Sequence, residues 1–449
     1  MSRALNPHLR RVGFTLTAQV YNQFVTVVVQ LAQVPLLLTA WGTSRYGGWL
    51  VLYAIPSYLT LTDFGFTVIA KNNMVMAAAA GNRDAVTSAY HSVFALVLVA
   101  TIAIGGVAAL GIGCAHIGQA LDLGPISEAS AKLALAMLVA NVLLNQFFLL
   151  LCAGVRASGR PAAEVVWGAT GRLAEGAAIV VAAWASADVA YAAMAILAAR
   201  LICLVALWGW LRVVASDIRL GLERASLAEI RAMANPALSY SLLGLAQALV
   251  IQGPVILLGA VATAKDAAAF STLRTLARLG TSAANVVNLS IFPEYSRLYG
   301  AGSLTAFARL ERYHLTVGGI GIALYCLGLA MIAPWVAQRW THGEIAVAYP
   351  LFGLLMLSVA AEMFWSCRLT PLTAINQHVR LSYLFVGAVA ICAPLAWLGA
   401  ASWGATGIAA ALLVVYAAMS ILITALRPSG AASVGARSKG SWAQAGRRP

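Results

Sequence analysis

The chain has 449 residues, of which 61% are hydrophobic and only 10% are charged, and its mean hydropathy is +0.84. These values lie outside the range of soluble globular proteins and exclude a soluble enzyme or binding domain of ordinary composition. The net charge of +14 would indicate a nucleic-acid partner in a soluble protein. Here the basic residues concentrate in alternate loops between long apolar runs, so we expect a multi-pass membrane protein and no nucleic-acid partner.

Apolar segments near the ~20-residue length that crosses a bilayer follow one another along the chain. We predict twelve spans at about 14–38, 46–70, 86–112, 130–153, 162–184, 189–211, 236–260, 267–291, 313–334, 347–369, 381–400 and 404–426. The sequence therefore predicts an all-α polytopic membrane protein with about twelve transmembrane helices.

The loops on the two sides of the membrane differ in basic residues. The side shared by both termini carries most of the loop arginines, whereas the opposite loops offer only Arg45, Lys265 and Arg339. Under the positive-inside rule this asymmetry predicts that both termini are cytoplasmic.

The longest polar interruption, residues 212–234, alternates acidic and basic side chains at helical spacing. This pattern predicts an amphipathic helix at the membrane surface. It divides an N-terminal six-helix lobe, 1–211, from a C-terminal six-helix lobe, 236–427, with a cytoplasmic amphipathic linker at 212–235. The tail 428–449 is rich in Gly, Ala, Ser and Arg, and we expect it to be disordered in the cytoplasm.

The two lobes carry a similar local pattern. Gln33-Val34-Pro35 in the first span corresponds to Gln252-Gly253-Pro254 in the seventh. An even number of spans in each lobe gives both lobes the same orientation. Together these features indicate a parallel repeat about an axis normal to the membrane.

Ionisable side chains within the spans are the main indication of a site. A charge at the bilayer centre costs ~2.5–3.5 kcal/mol on insertion scales, so such side chains must face one another or a wet cavity. The deep charges are Asp63, Arg172, Glu175, Arg200, Arg274, Arg278 and Glu362, with Lys71 and Arg368 near the cytoplasmic ends of their spans. Arginines outnumber acids among them, so the predicted interior is cationic.

Spacing along the helices predicts how these charges are arranged. Arg172 and Glu175 are i,i+3 neighbours and can form an ion pair on one face. Arg274 and Arg278 are i,i+4 and place two cations on the same side, which is unfavourable unless an anion lies opposite. That anion is either an acid on another helix, which would make the arginines structural, or an anionic substrate.

Signatures of catalysis are absent from the sequence. It has no GxSxG, HExxH, Walker A or Rossmann glycine pattern, so we do not expect an enzyme. Its six cysteines are scattered without a CxxC, so neither a disulfide framework nor a metal cofactor is expected. Without a Walker A motif we expect no ATP hydrolysis, so any energy would come from an ion gradient, of H⁺ or Na⁺, or from the gradient of a substrate.

Three stretches resemble a known family: YGGWLVLYAIPSYLTLTDFG at 46–65, AAFSTLRTLARL at 268–279 and FPEYSRL at 292–298. They are similar to regions of Wzx-type polysaccharide flippases, which carry O-antigen and other lipid-linked oligosaccharides and belong to the MATE-like MOP exporter superfamily. The resemblance extends over nearly the whole chain. It implies a V-shaped bundle of two six-helix lobes in the bacterial inner membrane. Its implied function is to flip an undecaprenyl-pyrophosphate-linked oligosaccharide to the outer leaflet by alternating access.

The resemblance also implies roles for the deep charges. The implied substrate-binding residues, which line a cationic cavity, are Arg274, Arg278, Arg200, Arg172, Lys71 and Arg368. The implied residues for ion coupling or counter-charge are Asp63, Glu175 and Glu362. Expected partners are the lipid-linked glycan, the lipid bilayer, a polysaccharide polymerase and glycosyltransferases.

Two other functions remain open from the sequence. A MATE-type multidrug or cation antiporter would need an acid-dominated cavity, and the excess of arginine argues against it. A membrane polysaccharide polymerase or ligase would need a sizeable outside loop, and none is predicted.

Overall fold

The computed structural model describes residues 6–57, 65–114, 123, 125–261, 264–340 and 346–425. The helices in these residues are α1 (Asn6–Ser57), α2 (Phe66–Ala79), α3 (Arg83–Cys114), α4 (Glu128–Ala157), α5 (Pro161–Ala185), α6 (Val189–Val214), α7 (Leu227–Val261), α8 (Ala264–Gly300), α9 (Leu304–Trp340), α10 (Tyr349–Ala374) and α11 (Val379–Ala425). These residues contain no β-strand. The prediction of an all-α membrane protein with about twelve spans is confirmed.

Two helices bend at a glycine: α11 contains the last two predicted spans, and α1 contains the first predicted span and the start of the second. α1 has 52 residues with Gly42 at φ 70°, and α11 has 47 residues with Gly404 at φ 55°. Glycine adopts positive φ without the steric penalty that other residues meet. Because one crossing needs ~20 residues, both arms of α11 are long enough to cross, whereas in α1 the arm before Gly42 is long enough and the second predicted span continues past Ser57.

Nine helical stretches in the described part of the chain are long and apolar enough to span a membrane. α8 is not among them, although it has 37 residues. It carries Arg274 and Arg278 in its interior, and a helix of this kind must turn its polar groups towards protein or water rather than lipid.

The chain forms two compact units, Met1–Leu238 and Ser239–Pro449. The first has an apolar core around Trp41, Trp49 and Leu138, and the second has one around Trp365 and Phe385. Each unit therefore has its own packed interior and holds its own set of buried charges. The tail predicted to be disordered, 428–449, lies outside the described residues.

The segment after α6 differs from the prediction of a linker helix over 212–234. Residues 215–226 consist of turns and irregular structure, and α7 begins at Leu227. The reason is that its charged and backbone groups bind the start of α3. These contacts are Arg83 with Asp217, Asp84 with Arg224, and the His91 ring with the backbone of Arg219 and Arg224. The alternating charges therefore serve contacts with α3, and the prediction of a helix is wrong for residues 215–226.

Candidate functional site

The first unit contains an ion pair between α5 and α6. Oε1 of Glu175 lies 2.6 Å from Nε of Arg200. The Arg200 side chain is buried, and its guanidinium lies 5.1 Å from the centre of the Phe148 ring. A buried pair adds little net stability, but removal of one partner leaves an uncompensated charge. Glu175 and Arg200 therefore depend on each other.

Arg172 does not pair with Glu175, so the partner predicted from i,i+3 spacing is wrong. Nη2 of Arg172 instead donates to Oδ1 of Asn22 on α1. The spacing rule considers only one helix, whereas Arg200 reaches Glu175 from the neighbouring helix. Arg172 is exposed and bonds a neutral amide, so this hydrogen bond does not neutralise its charge.

Two amides on α4 lie buried in the same unit. Oδ1 of Asn141 and Oε1 of Gln146 have no hydrogen-bond partner among the described residues. A buried acceptor without a partner costs ~1–3 kcal/mol, so such oxygens indicate a place for water or a ligand group. The amide of Asn141 also adjoins Glu175. The surroundings of the Glu175–Arg200 pair are therefore polar.

Lys71 lies in a second charged cluster of the first unit. Its Nζ is 2.8 Å from Oε1 of Glu164, and Arg156 contacts the other oxygen of the same carboxylate. All these side chains are largely buried, and the contacts join α2, α4 and α5. Nothing in the sequence singles out Glu164, because an acid near the start of a span is ordinary at the interface. Lys71 and Arg156 together surround one buried carboxylate.

The two arginines of α8 have different partners in the second unit. Arg278 forms a bidentate pair with Glu362 on α10, with N–O distances of 2.5 and 2.9 Å. Arg274 donates to the backbone carbonyls of Val250, at 2.9 Å, and Ile251, at 2.5 Å, on α7. The acid on another helix, which the sequence left open, is thus present for Arg278. Arg274 has neutral partners.

Pro254 explains why a carbonyl of α7 is available to Arg274. A proline has no backbone N–H, so it cannot donate to the carbonyl four residues earlier in its helix. For Pro254 that carbonyl belongs to Val250, and Nη2 of Arg274 supplies the missing donor. The Gln-x-Pro pattern of the seventh span therefore creates a binding point for a buried arginine.

Aromatic side chains complete the cluster in the second unit. The guanidinium of Arg274, only 7% exposed, lies 5.8 Å from the centre of the Phe270 ring. The hydroxyl of Tyr416 on α11 hydrogen-bonds Arg278. The cluster thus draws on α7, α8, α10 and α11.

The remaining predicted site residues lie apart or cannot be placed. Arg368 on α10 has Nη1 3.9 Å from Oε1 of Glu311 and lies 5.6 Å from the centre of the Phe364 ring. Asp63 lies outside the described residues. Among the residues that are described, no group of His, Cys, Asp and Glu is arranged to hold a metal ion.

The structure shows which of the predicted deep arginines are paired with acids, which a count of charged residues does not. Of the predicted acids that the structure describes, Glu175 pairs with Arg200 and Glu362 pairs with Arg278. Arg172 and Arg274 bond an amide and backbone carbonyls, respectively. Arginine stays charged in proteins. Among the deep arginines predicted from the sequence, each unit therefore contains one whose observed hydrogen-bond partners carry no charge.

Solved structures with the same architecture are MATE transporters. A MATE transporter in its bent conformation superposes with a TM-score of 0.76 at 13% identity over 96% of both chains. An outward-facing multidrug resistance MATE family transporter of the MOP superfamily gives 0.73 at 15% identity, covering 96% of this chain and 97% of that one. The Vibrio cholerae MATE transporter VcmN in its bent form gives 0.69 at 14% identity, covering 94% and 97%. The chain has the MATE fold.

At this level of identity the likeness shows the fold alone. No protein-family profile and no curated protein matches the sequence. Any function must therefore be inferred from the chemistry of the two units of this MATE fold.

Proposed function

We propose that the chain is a MOP-type exporter that flips an undecaprenyl-pyrophosphate-linked oligosaccharide from the cytoplasmic to the outer leaflet of the bacterial inner membrane by alternating access. The observation that carries the proposal is the presence, in each unit, of a deep arginine with neutral partners, Arg172 and Arg274. Such cations suit an anionic substrate.

A pyrophosphate matches the donors that these arginines present. The guanidinium is a planar fork that binds phosphate oxygens in pairs, and charge-assisted hydrogen bonds of this kind are about twice as strong as neutral ones. The amide of Asn22 and the carbonyls of Val250 and Ile251 are neutral acceptors. A phosphate would replace them as the stronger partner.

The paired arginines would take part by exchanging partners. Arg278 presents its fork to Glu362, so a substrate phosphate would compete with that carboxylate for the same N–H groups. Once Arg278 had left it, Glu362 would need another cation to neutralise its charge, and H⁺ or Na⁺ could bind there. Glu175 with Arg200 offers the same exchange in the first unit, and Asp63 is a further candidate for coupling. Lys71 and Arg368 would bind the substrate at the cytoplasmic ends.

A MATE-type multidrug or cation antiporter is the second candidate, because one structure with this fold is a multidrug resistance transporter. A cationic drug needs an acid that is free to receive it. Glu175 and Glu362 are each bound by an arginine. At either of these two described acids an antiporter would have to break an ion pair before it bound the drug, which makes this candidate the weaker one.

The proposed setting is the bacterial inner membrane, with both termini in the cytoplasm and with a polymerase and glycosyltransferases acting on the same glycan. Labelling of single cysteines in intact cells tests the orientation. A cysteine at position 83 should be protected from an impermeant reagent. Labelling at position 83 without labelling at position 341 would contradict the orientation.

Export of surface polysaccharide by a flippase-null strain tests the function. We expect Arg172→Ala or Arg274→Ala to lower export per unit of membrane protein by roughly tenfold or more, because a hydrogen bond to a charged group contributes ~1.5–3 kcal/mol. Arg274→Lys should recover part of the export, since it keeps the charge and loses the fork. Arg380→Ala, which removes an exposed arginine of the second unit, is the matched control. Normal export after removal of both Arg172 and Arg274 would contradict the proposal.

A further inference from the structure

The second unit contains an apolar cavity of about 380 Å³ between α7 and α11. Its walls come from α7 between residues 242 and 257 and from both arms of α11, between residues 386 and 396 and between 408 and 415. Every lining residue is apolar. The volume lies in the ~300–1,000 Å³ range of sites that bind small molecules.

The cavity opens at one side of α7. Leu245 and Leu249 line it and are 55% and 56% exposed, whereas Val250 and Ile408 line it and are buried. Among the described residues, α7 makes few close backbone approaches to other helices. A cavity without polar groups gives water no hydrogen-bond partners. Its natural occupant is therefore an apolar chain that enters past Leu245 and Leu249.

The inner wall of the cavity adjoins the arginine cluster. Val250 lines the cavity, and its carbonyl accepts a hydrogen bond from Arg274. Val415 also lines it, and the next residue, Tyr416, hydrogen-bonds Arg278. Residues in or next to the cavity wall therefore bind both arginines. This arrangement matches a molecule with an anionic head and an apolar tail.

We propose that this cavity binds the isoprenoid tail of the phosphorylated lipid substrate, at the units nearest the pyrophosphate, while the head contacts Arg274 and Arg278. The inference rests on the proposed function and deepens it by assigning the tail to α7 and α11. At roughly 30 Å³ for a water-sized group, 380 Å³ holds about a dozen such groups, so it takes a few isoprene units and not a whole long tail.

The mixture of small and large apolar residues in the cavity lining favours an isoprenoid over a straight acyl chain. The small lining residues are Ala246, Gly253, Ala390, Ala393, Ala396 and Ala411, and the others are mostly Leu, Ile and Val. Small residues between large ones leave notches along the wall. Methyl branches of an isoprenoid fill such notches, whereas a straight chain leaves them empty and loses dispersion contacts.

Photo-crosslinking of the full chain in phosphatidylcholine nanodiscs tests the inference. The probe is geranylgeranyl pyrophosphate with a photoreactive group on its first isoprene units. We expect labelled peptides from α7 and α11 within the cavity walls, and loss of labelling with excess unmodified geranylgeranyl pyrophosphate. Ala411→Phe, which fills the cavity, should reduce labelling about tenfold. Ala248→Phe, at an exposed position of α7 that does not line the cavity, should leave it unchanged.

Each contrary result has a distinct meaning. Labelling outside the cavity walls, or equal labelling of the Ala411→Phe protein, would overturn the tail site. Equal competition by dioleoyl phosphatidic acid would overturn the assignment to an isoprenoid. Peptide mapping in the unsubstituted protein decides the location even if Ala411→Phe fails to fold. Export by the unsubstituted protein in the flippase-null strain tests the function separately. An exporting protein with an unlabelled cavity would thus lose only the tail site.

Discussion

The first and fifth spans meet differently in the two units. In the first unit, α1 and α5 pack closely. Arg172 bonds Asn22 across this contact, and the hydroxyls of Tyr21 and Thr170 lie 3.3 Å apart. In the second unit, the corresponding spans are α7 and the first arm of α11, and an apolar cavity of about 380 Å³ separates parts of them. One contact is closed and polar, and the other is open and apolar.

This difference shows that one helix order permits two kinds of contact between corresponding helices. In the first unit, polar side chains bridge the two helices directly. In the second unit, the arms of α11 carry no charged residue between 381 and 425. Beside the cavity, the carbonyls of Val250 and Ile251 on α7 accept hydrogen bonds from Arg274 on α8. A polar pair holds two helices together, whereas an apolar gap can admit a chain.

The largest expected effect concerns the ion pair that joins α5, one helix of the closed contact, to α6. Glu175→Gln should lower the free energy of unfolding by ~3–5 kcal/mol, because it leaves Arg200 as an uncompensated buried cation. The double variant Glu175→Gln/Arg200→Gln should recover part of that loss. Denaturant titration of the purified protein in mild detergent gives both values.

The control for this prediction is Glu175→Gln/Arg172→Gln. The structure pairs Glu175 with Arg200, so this second double variant should recover little. Equal recovery in the two double variants would contradict the assignment of the pair.

A second prediction compares the closed contact of the first unit with the open contact of the second by introducing a leucine into each. A Cβ built on Gly176 of α5 meets Cγ1 of Val29 at 3.0 Å. Gly176→Leu should therefore destabilise the first unit by ~1–3 kcal/mol, as overpacking does. Ala411→Leu places its side chain in the cavity and should leave stability equal or raise it by ~1 kcal/mol through apolar burial. The measurement is the thermal unfolding midpoint of each variant. Equal destabilisation by the two leucines would contradict an open contact between α7 and α11.

A third prediction removes one polar bridge from the closed contact. Tyr21→Phe deletes the hydroxyl that faces Thr170, and a hydrogen bond contributes ~0.5–1.5 kcal/mol net. We expect a loss at the lower end of this range, because the bond is exposed. The change in the unfolding midpoint measures it. A loss larger than that of Gly176→Leu would show that polar bridges, and not close packing, hold α1 to α5.

The fold followed from the sequence more fully than the site did. Apolar runs near the length of a bilayer crossing predicted the spans, because a helix that crosses the hydrocarbon core needs ~20 mostly apolar residues. Ion-pair partners on different helices could not be predicted, because spacing along one helix carries no information about the neighbouring helices. For this reason the predicted partner of Glu175 was Arg172, whereas the observed partner is Arg200. Glu164 was missed because its position at a span end is unremarkable. The link from Arg274 to α7 did have a signal, Pro254, which frees a carbonyl.

That signal leads to a prediction of its own, a coupling between Pro254 and Arg274. Arg274→Ala leaves the buried carbonyl of Val250 without its donor, which costs ~1–3 kcal/mol. Pro254→Ala restores a backbone N–H that can donate to this carbonyl within α7. In the Pro254→Ala background, Arg274→Ala should therefore destabilise the protein less, by ~1 kcal/mol, a coupling typical of residues that share a partner. A double-mutant cycle on the free energy of unfolding measures the coupling. Additive effects would mean that Arg274 does not stand in for the N–H that proline lacks, and that α7 is held beside its cavity by other contacts.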